Sequence, residues 1–159
     1  MFLFVDDNWL ALDGWVAKLE EKGHEVMRID EVGRALQYVR DHQTDITCAL
    51  LDVMMEAPED WPSGQGQKTG LVLAGKIREI CQELPVIFMT GQSDVAVIEQ
   101  IKAYPFSRSL NKDELRPKTF AAVVEKTLKD IQLEYLESLK GVGSEIAASG
   151  LPPTTEQSH

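Results

Sequence analysis

Five acidic, hydroxyl and amine side chains in this sequence are placed where they can share one piece of chemistry. Asp6 and Asp7 close the short apolar run Phe2-Leu3-Phe4-Val5. Asp52 stands alone inside Cys48-Ala49-Leu50-Leu51 and Val53-Met54-Met55, where an unpaired charge is costly. Thr90 ends Val86-Ile87-Phe88-Met89, and Lys112 follows a weaker fifth run. Three carboxylates brought together repel one another, and a hard divalent cation offsets that repulsion. Magnesium suits the role: it takes oxygen ligands, keeps several waters and often binds one or two carboxylates together with a phosphate. In such a site a threonine hydroxyl can donate to a phosphoryl oxygen and a lysine ammonium can neutralise developing charge. A carboxylate can itself be the nucleophile and become an aspartyl-phosphate. Taken singly, each feature has a plainer reading. Asp-Asp-Asn after a strand is an ordinary helix cap, Thr90-Gly91 a turn and Lys112 a surface lysine. The joint pattern is more specific than its parts.

These groups can meet only if the elements before them bring them to one end of a sheet. Phe2–Val5 has the look of a buried parallel strand. Leu12, Trp15, Val16 and Leu19 then recur at helical spacing over residues 9–22, and Gly23 supplies a stop. A second strand is expected at 24–29 and a second helix at 32–39, with Val32, Ala35, Leu36 and Val39 on one face. The third strand falls within 46–54 and the third helix over 70–80. A fourth strand at 85–89, a short helix at 95–101, a weak strand at 107–110 and a long helix over 119–139 follow. This regular alternation implies an α/β domain: a five-stranded, doubly wound parallel sheet of flavodoxin-like order 2-1-3-4-5. Ligands bind such sheets at the carboxyl ends of the strands, where Asp6, Asp7, Asp52, Thr90 and Lys112 all fall. Residues 56–69 form a polar loop containing Trp61, and residues 144–159 read as a mobile tail.

The chain has 159 residues and a formal net charge of −10. That length suits one domain, and the acidic balance argues against a nucleic-acid surface. No stretch is apolar enough to span a bilayer, and the N-terminus lacks the basic region of a signal peptide. Cys48 and Cys81 have no CxxC spacing and read as reduced thiols, which points to the cytoplasm.

The same residues resemble the receiver domains of two-component response regulators. The markers are Phe4-Val5-Asp6-Asp7-Asn8, Leu50-Leu51-Asp52-Val53-Met54, Val86-Ile87-Phe88-Met89-Thr90-Gly91 and Leu110-Asn111-Lys112. The resemblance covers residues 1–129, and the intervals from Asp7 to Asp52 and from Thr90 to Lys112 are typical of the family. It implies a signalling domain, not a turnover enzyme. Such a domain takes a phosphoryl group from the phosphohistidine of a histidine kinase or phosphotransfer protein, switches conformation, and signals through protein contacts. By position, Asp52 would be the acceptor. Asp6 and Asp7, with Asp52 and the Met54 carbonyl, would hold Mg²⁺. Thr90 would bind and report the phosphoryl group, and Lys112 would pair with it.

The chain departs from the family at several points. Asp113 follows Lys112 where a proline is usual, and Gly91 follows Thr90 where a small residue such as alanine is common. Ser109 stands where an aromatic commonly lies, with Tyr104 and Phe106 as nearby substitutes or ordinary packing residues. The 56–69 loop is longer than usual. The last helix continues over 130–143 beyond what a receiver needs, through the stripe Phe120, Val124, Leu128, Ile131, Tyr135 and Leu139. That extension offers a homodimer contact or a connector, and too little chain follows Leu139 for a DNA-binding module. Two alternatives are a receiver-like binding module that signals without phosphorylation and a phosphatase of the haloacid dehalogenase type. The complete five-residue set opposes the first. The lack of an Asp-x-Asp after the first strand opposes the second.

Overall fold

The structure, a computed structural model, describes residues 1–61, 68–91 and 95–148, with the side chains of all but Trp9, Ala11, Leu12 and residues 142–148. Strands β1 (Phe2–Val5), β2 (Val26–Ile29), β3 (Cys48–Asp52), β4 (Val86–Thr90) and β5 (Ser107–Asn111) alternate with helices α1 (Trp9–Glu21), α2 (Val32–Asp41), α3 (Thr69–Ile80), α4 (Val95–Lys102) and α5 (Phe120–Ala148). The strands form one parallel sheet in the order β2-β1-β3-β4-β5, the order expected from the alternation.

Side chains alternate across a strand, and this chain uses both faces. Phe2 and Phe4, Cys48 and Leu50, and Ile87 and Met89 pack with Val16 and Leu19 of α1 and with Phe120, Val124 and Ile131 of α5. Leu3 and Val5, Ala49 and Leu51, and Val86 and Phe88 pack with the apolar faces of α2, α3 and α4. Strands buried on both faces therefore read as unbroken apolar runs. The expected stop at Gly23 is a left-handed residue with φ of 89°, and Gly23 and His24 donate their N–H groups back to Glu20 and Leu19. The position of Leu12 in the expected α1 stripe lies outside the described side chains.

Some boundaries differ from the expected ones. Ile46 is buried yet precedes β3, and the buried Val53 and Met55 follow it, because apolar residues of the turns also reach the core. Helix α5 runs to Ala148, five residues into the segment read as a tail, and the remainder of that segment, residues 149–159, lies outside the described residues. The core contribution of α5 reaches Ile131, and the Tyr135 ring meets Phe106 edge-on at 5.0 Å. Beyond them the stripe ends: Leu139 is half exposed, as are Leu133 and Leu136. Tyr104 and Phe106 are packing residues. Tyr104 tilts against Phe88 and donates its hydroxyl to the Leu71 carbonyl at 2.9 Å, and the Arg78 guanidinium donates to the Phe106 carbonyl. Trp61 packs on the α2/α3 core with Lys76 Nζ 5.2 Å from its ring centroid. Residues 62–67 of its loop lie outside the described residues. No helix among the described residues is long and apolar enough to cross a membrane.

Candidate functional site

Strand register brings the acids together. Val5 lies beside Leu51, so the next residues, Asp6 and Asp52, stand level at the carboxyl ends of β1 and β3. They share the parity of Phe4 and Leu50 and reach the same side of the sheet. Asp6 is fully buried and Asp52 nearly so, while Asp7 is exposed. One carboxylate oxygen from each of Asp6, Asp7 and Asp52 lies within 4.8 Å of the others. Thr90 ends β4 opposite Asn111 on β5, and Lys112 is the next residue of the chain. The five residues singled out in the sequence thus meet at one end of the sheet.

Lys112 is the cation that faces the buried acids. Its Nζ donates to Asp52 Oδ1 at 3.0 Å and to Asp6 Oδ2 at 3.1 Å. Burial disfavours its ammonium, but the charges of Asp52 and Asp6 and the hydrogen bonds to them outweigh that and hold its pKa above the ordinary value. Asp52 moves the same way for a different reason. Burial pushes its carboxyl up to about 6, Asp6 adds to the rise, Lys112 pulls it back, and Asp7 adds a little more. The balance makes Asp52 harder to ionise than an ordinary carboxyl.

Turns rather than strands set the remaining geometry. The Asn8 N–H donates to Asp6 Oδ1 at 2.9 Å. The Glu56 N–H donates to Asp7 Oδ2 at 2.9 Å. Thr90 Oγ1 reaches the Leu110 carbonyl at 3.5 Å, a contact at the long limit for a hydroxyl. Lys112 opens a 3-10 turn over Lys112–Glu114, and Asn111 caps it by accepting the Asp113 N–H at 2.9 Å. A proline after Lys112 would have no N–H to offer; here the Asp113 amide is used to fix the lysine's turn. Ser109 is half buried beside Phe88 and lines a cavity of about 430 Å³ with Thr90, Ile98 and Leu115. Met54, expected to offer its carbonyl, lies two residues past β3 and is half exposed.

Three contributors are not legible as site residues in the sequence. Gly70 donates its N–H to the Val53 carbonyl at 2.9 Å, and a Cβ on it would stand 2.2 Å from the Asp52 carbonyl oxygen. The start of α3 therefore presses directly on the Asp52 backbone. The other two are the Glu56 amide and the Asn111 cap. Only the last has a local signal, a short polar side chain two residues before the amide it accepts.

The family model for the response regulator receiver domain matches residues 2–124. The chain belongs to the response-regulator receiver family. Its solved structural neighbours agree in fold. A CheY-like receiver domain protein from Methanospirillum hungatei JF-1 superposes with a TM-score of 0.65 at 20% identity, covering 84% of this chain and 96% of that one. The receiver domain of NtrX from Brucella abortus gives 0.64 at 23% identity, over 81% of this chain and 98% of that one. Against the longer NtrX protein the TM-score is 0.68 at 22% identity, over 86% of this receiver chain and only 28% of NtrX. No curated protein matches the chain by sequence.

The donor set of this receiver fits a hard cation: carboxylate oxygens converge, and nitrogen or sulfur ligands are not among them.

Proposed function

We propose that this receiver takes a phosphoryl group onto Asp52 from the phosphohistidine of a histidine kinase or phosphotransfer protein, in the cytoplasm, and signals the change through protein contacts. The observation that carries the reading is Asp52 itself. It is a nearly buried carboxylate with a pKa of about 6, level with Asp6 and bonded through one oxygen to Lys112. A carboxylate oxygen of Asp52 forms the new O–P bond as the P–N bond to the partner's imidazole breaks. Asp7 and Asp52, Asp6 through water, and the Met54 carbonyl would hold Mg²⁺. When bound, the ion shields the phosphoryl oxygens from the acids around them. Lys112 leaves Asp6 and pairs with the new charge, and Thr90 turns from the Leu110 carbonyl to donate to a phosphoryl oxygen.

A phosphoryl group adds about −1.5 to −2 of charge and strong acceptor oxygens. Thr90 and Lys112 are the donors placed to answer it. Their movement displaces the start of α4 and the end of β5, which shifts a population between two conformations. With Ser109 in place of an aromatic ring, the readout is a displacement of loop and helix. The reaction runs on the domain's own side chain, so the domain is a signalling switch, not a turnover enzyme.

Amide exchange with and without beryllofluoride and Mg²⁺ tests this. Wild type should gain protection between Gly91 and Lys112, Asp52→Asn should show no change, and Thr90→Ala should lose most of the response. An identical response in wild type and Thr90→Ala would refute the switch.

A further inference from the structure

The three acids are not held alike. Asp6 is buried and has both oxygens engaged, one by the Asn8 N–H and one by Lys112. Asp52 is nearly buried and bonded to Lys112. Asp7 alone is exposed, and an exposed carboxylate left to itself samples several rotamers. Yet Asp7 points into the cluster, with an oxygen within 4.8 Å of those of Asp6 and Asp52. The group that aims it comes from the chain that follows β3. The Glu56 N–H, at the start of the loop between β3 and α3, donates to Asp7 Oδ2 at 2.9 Å.

We infer that the peptide N–H of Glu56 is a positioning group of the cation site, holding Asp7 with its other oxygen turned toward Mg²⁺. The inference rests on the proposed cation role of Asp7 and extends it to a residue whose side chain takes no part. A carboxylate can ligate a cation through one oxygen while its second accepts an N–H, so the bond and the ion coexist. Such outer hydrogen bonds orient ligands, and losing one typically weakens metal affinity by 10–100-fold. Because Asp7 is exposed and one of several ligands, the lower end of that range applies. The same bond ties the loop that carries Trp61 to the acid at the end of β1.

The test is magnesium affinity by calorimetry at pH 7.5. Glu56→Pro removes the N–H and should weaken Mg²⁺ binding about tenfold. Glu56→Ala keeps the N–H and should bind close to wild type, which separates the amide from the side-chain charge. Equal or tighter binding by Glu56→Pro overturns the positioning role and leaves the cation site standing. If wild type binds no Mg²⁺, the cation site itself fails, and the inference with it. Should Glu56→Pro not fold, exchange of the Glu56 amide decides: it should be slow with and without Mg²⁺ and accelerate in Asp7→Ala. Fast exchange in wild type, or no acceleration in Asp7→Ala, overturns the inference.

Discussion

Asp52 is set among groups that pull its proton in opposite directions, and the balance gives a stability prediction. Burial and the neighbouring acids raise its carboxyl from 3.8 to about 6 against the pull of Lys112. A folded-state pKa above the unfolded one means that the native state binds the proton more tightly. Below about pH 4 Asp52 is neutral in both states and contributes nothing to the difference. As pH rises from about 4 to 6 the unfolded chain ionises first, and the native state loses stability. Above about 6 the loss is complete. Asp52→Asn keeps the shape without the charge and leaves Lys112 its bond to Asp6. Without Mg²⁺ it should therefore be more stable than wild type at pH 7.5, by about 1–2 kcal/mol, and the gap should close toward pH 4. Thermal melts in a chelator at the two pH values measure this. An Asp52→Asn variant that melts below wild type at pH 7.5 contradicts the account.

Between residues, the elements set the tolerance of the site. Helix α3 begins against the last residue of β3, and only hydrogen at Gly70 allows that approach. In Gly70→Ala the methyl would meet the Asp52 carbonyl oxygen at 2.2 Å and Val53 Cα at 2.7 Å. Both are backbone atoms, so strand and helix must part, at about 1–3 kcal/mol. Gly91→Ala, with no atom of the described residues within 4 Å of the added methyl, serves as the comparison and should melt like wild type. A Gly70→Ala melting temperature equal to that of Gly91→Ala would show that the contact is not tight. The elements themselves were largely legible, because each carries a period. Phe2 to Val5 is an apolar run closed by two acids, and α2 shows its buried Val32, Ala35, Leu36 and Val39 at helical spacing. The strand limits at β3 were not, since Ile46 and Val53 are as apolar and as buried as the strand between them. Nor was the end of α5. The apolar stripe ends at Leu139, yet the helix continues through Gly141 and Gly143, each tolerated in a helix interior at about 1 kcal/mol. At the site, the acids, threonine and lysine were visible by type and position. Gly70 and the Glu56 amide were not, because each acts through a tertiary approach of backbone that no local pattern encodes.

Across the whole molecule the chemistry lies at one end of the sheet and its contacts continue away from it. Thr90 touches the Leu110 carbonyl on β5. Farther along the strand, Arg108 pairs with Glu134 of α5 at 3.1 Å, and Phe106 holds Tyr135. Helix α5 is thus fastened to the strand that Lys112 follows, and its half-exposed Leu133, Leu136 and Leu139 lie beyond the packed core. Contacts thus run from the acid cleft to this helix by way of β5. The formal charge of −10 opposes the entry of another anion into the cleft, and Lys112 offsets part of that. Phosphoryl transfer to Asp52 is read from the mass of the intact protein after incubation with acetyl phosphate and Mg²⁺. With Asp52 as the acceptor, wild type should gain one phosphoryl group, Asp52→Asn none, and neither protein any in chelator. Undiminished labelling of Asp52→Asn, or no labelling of wild type in Mg²⁺, would contradict it.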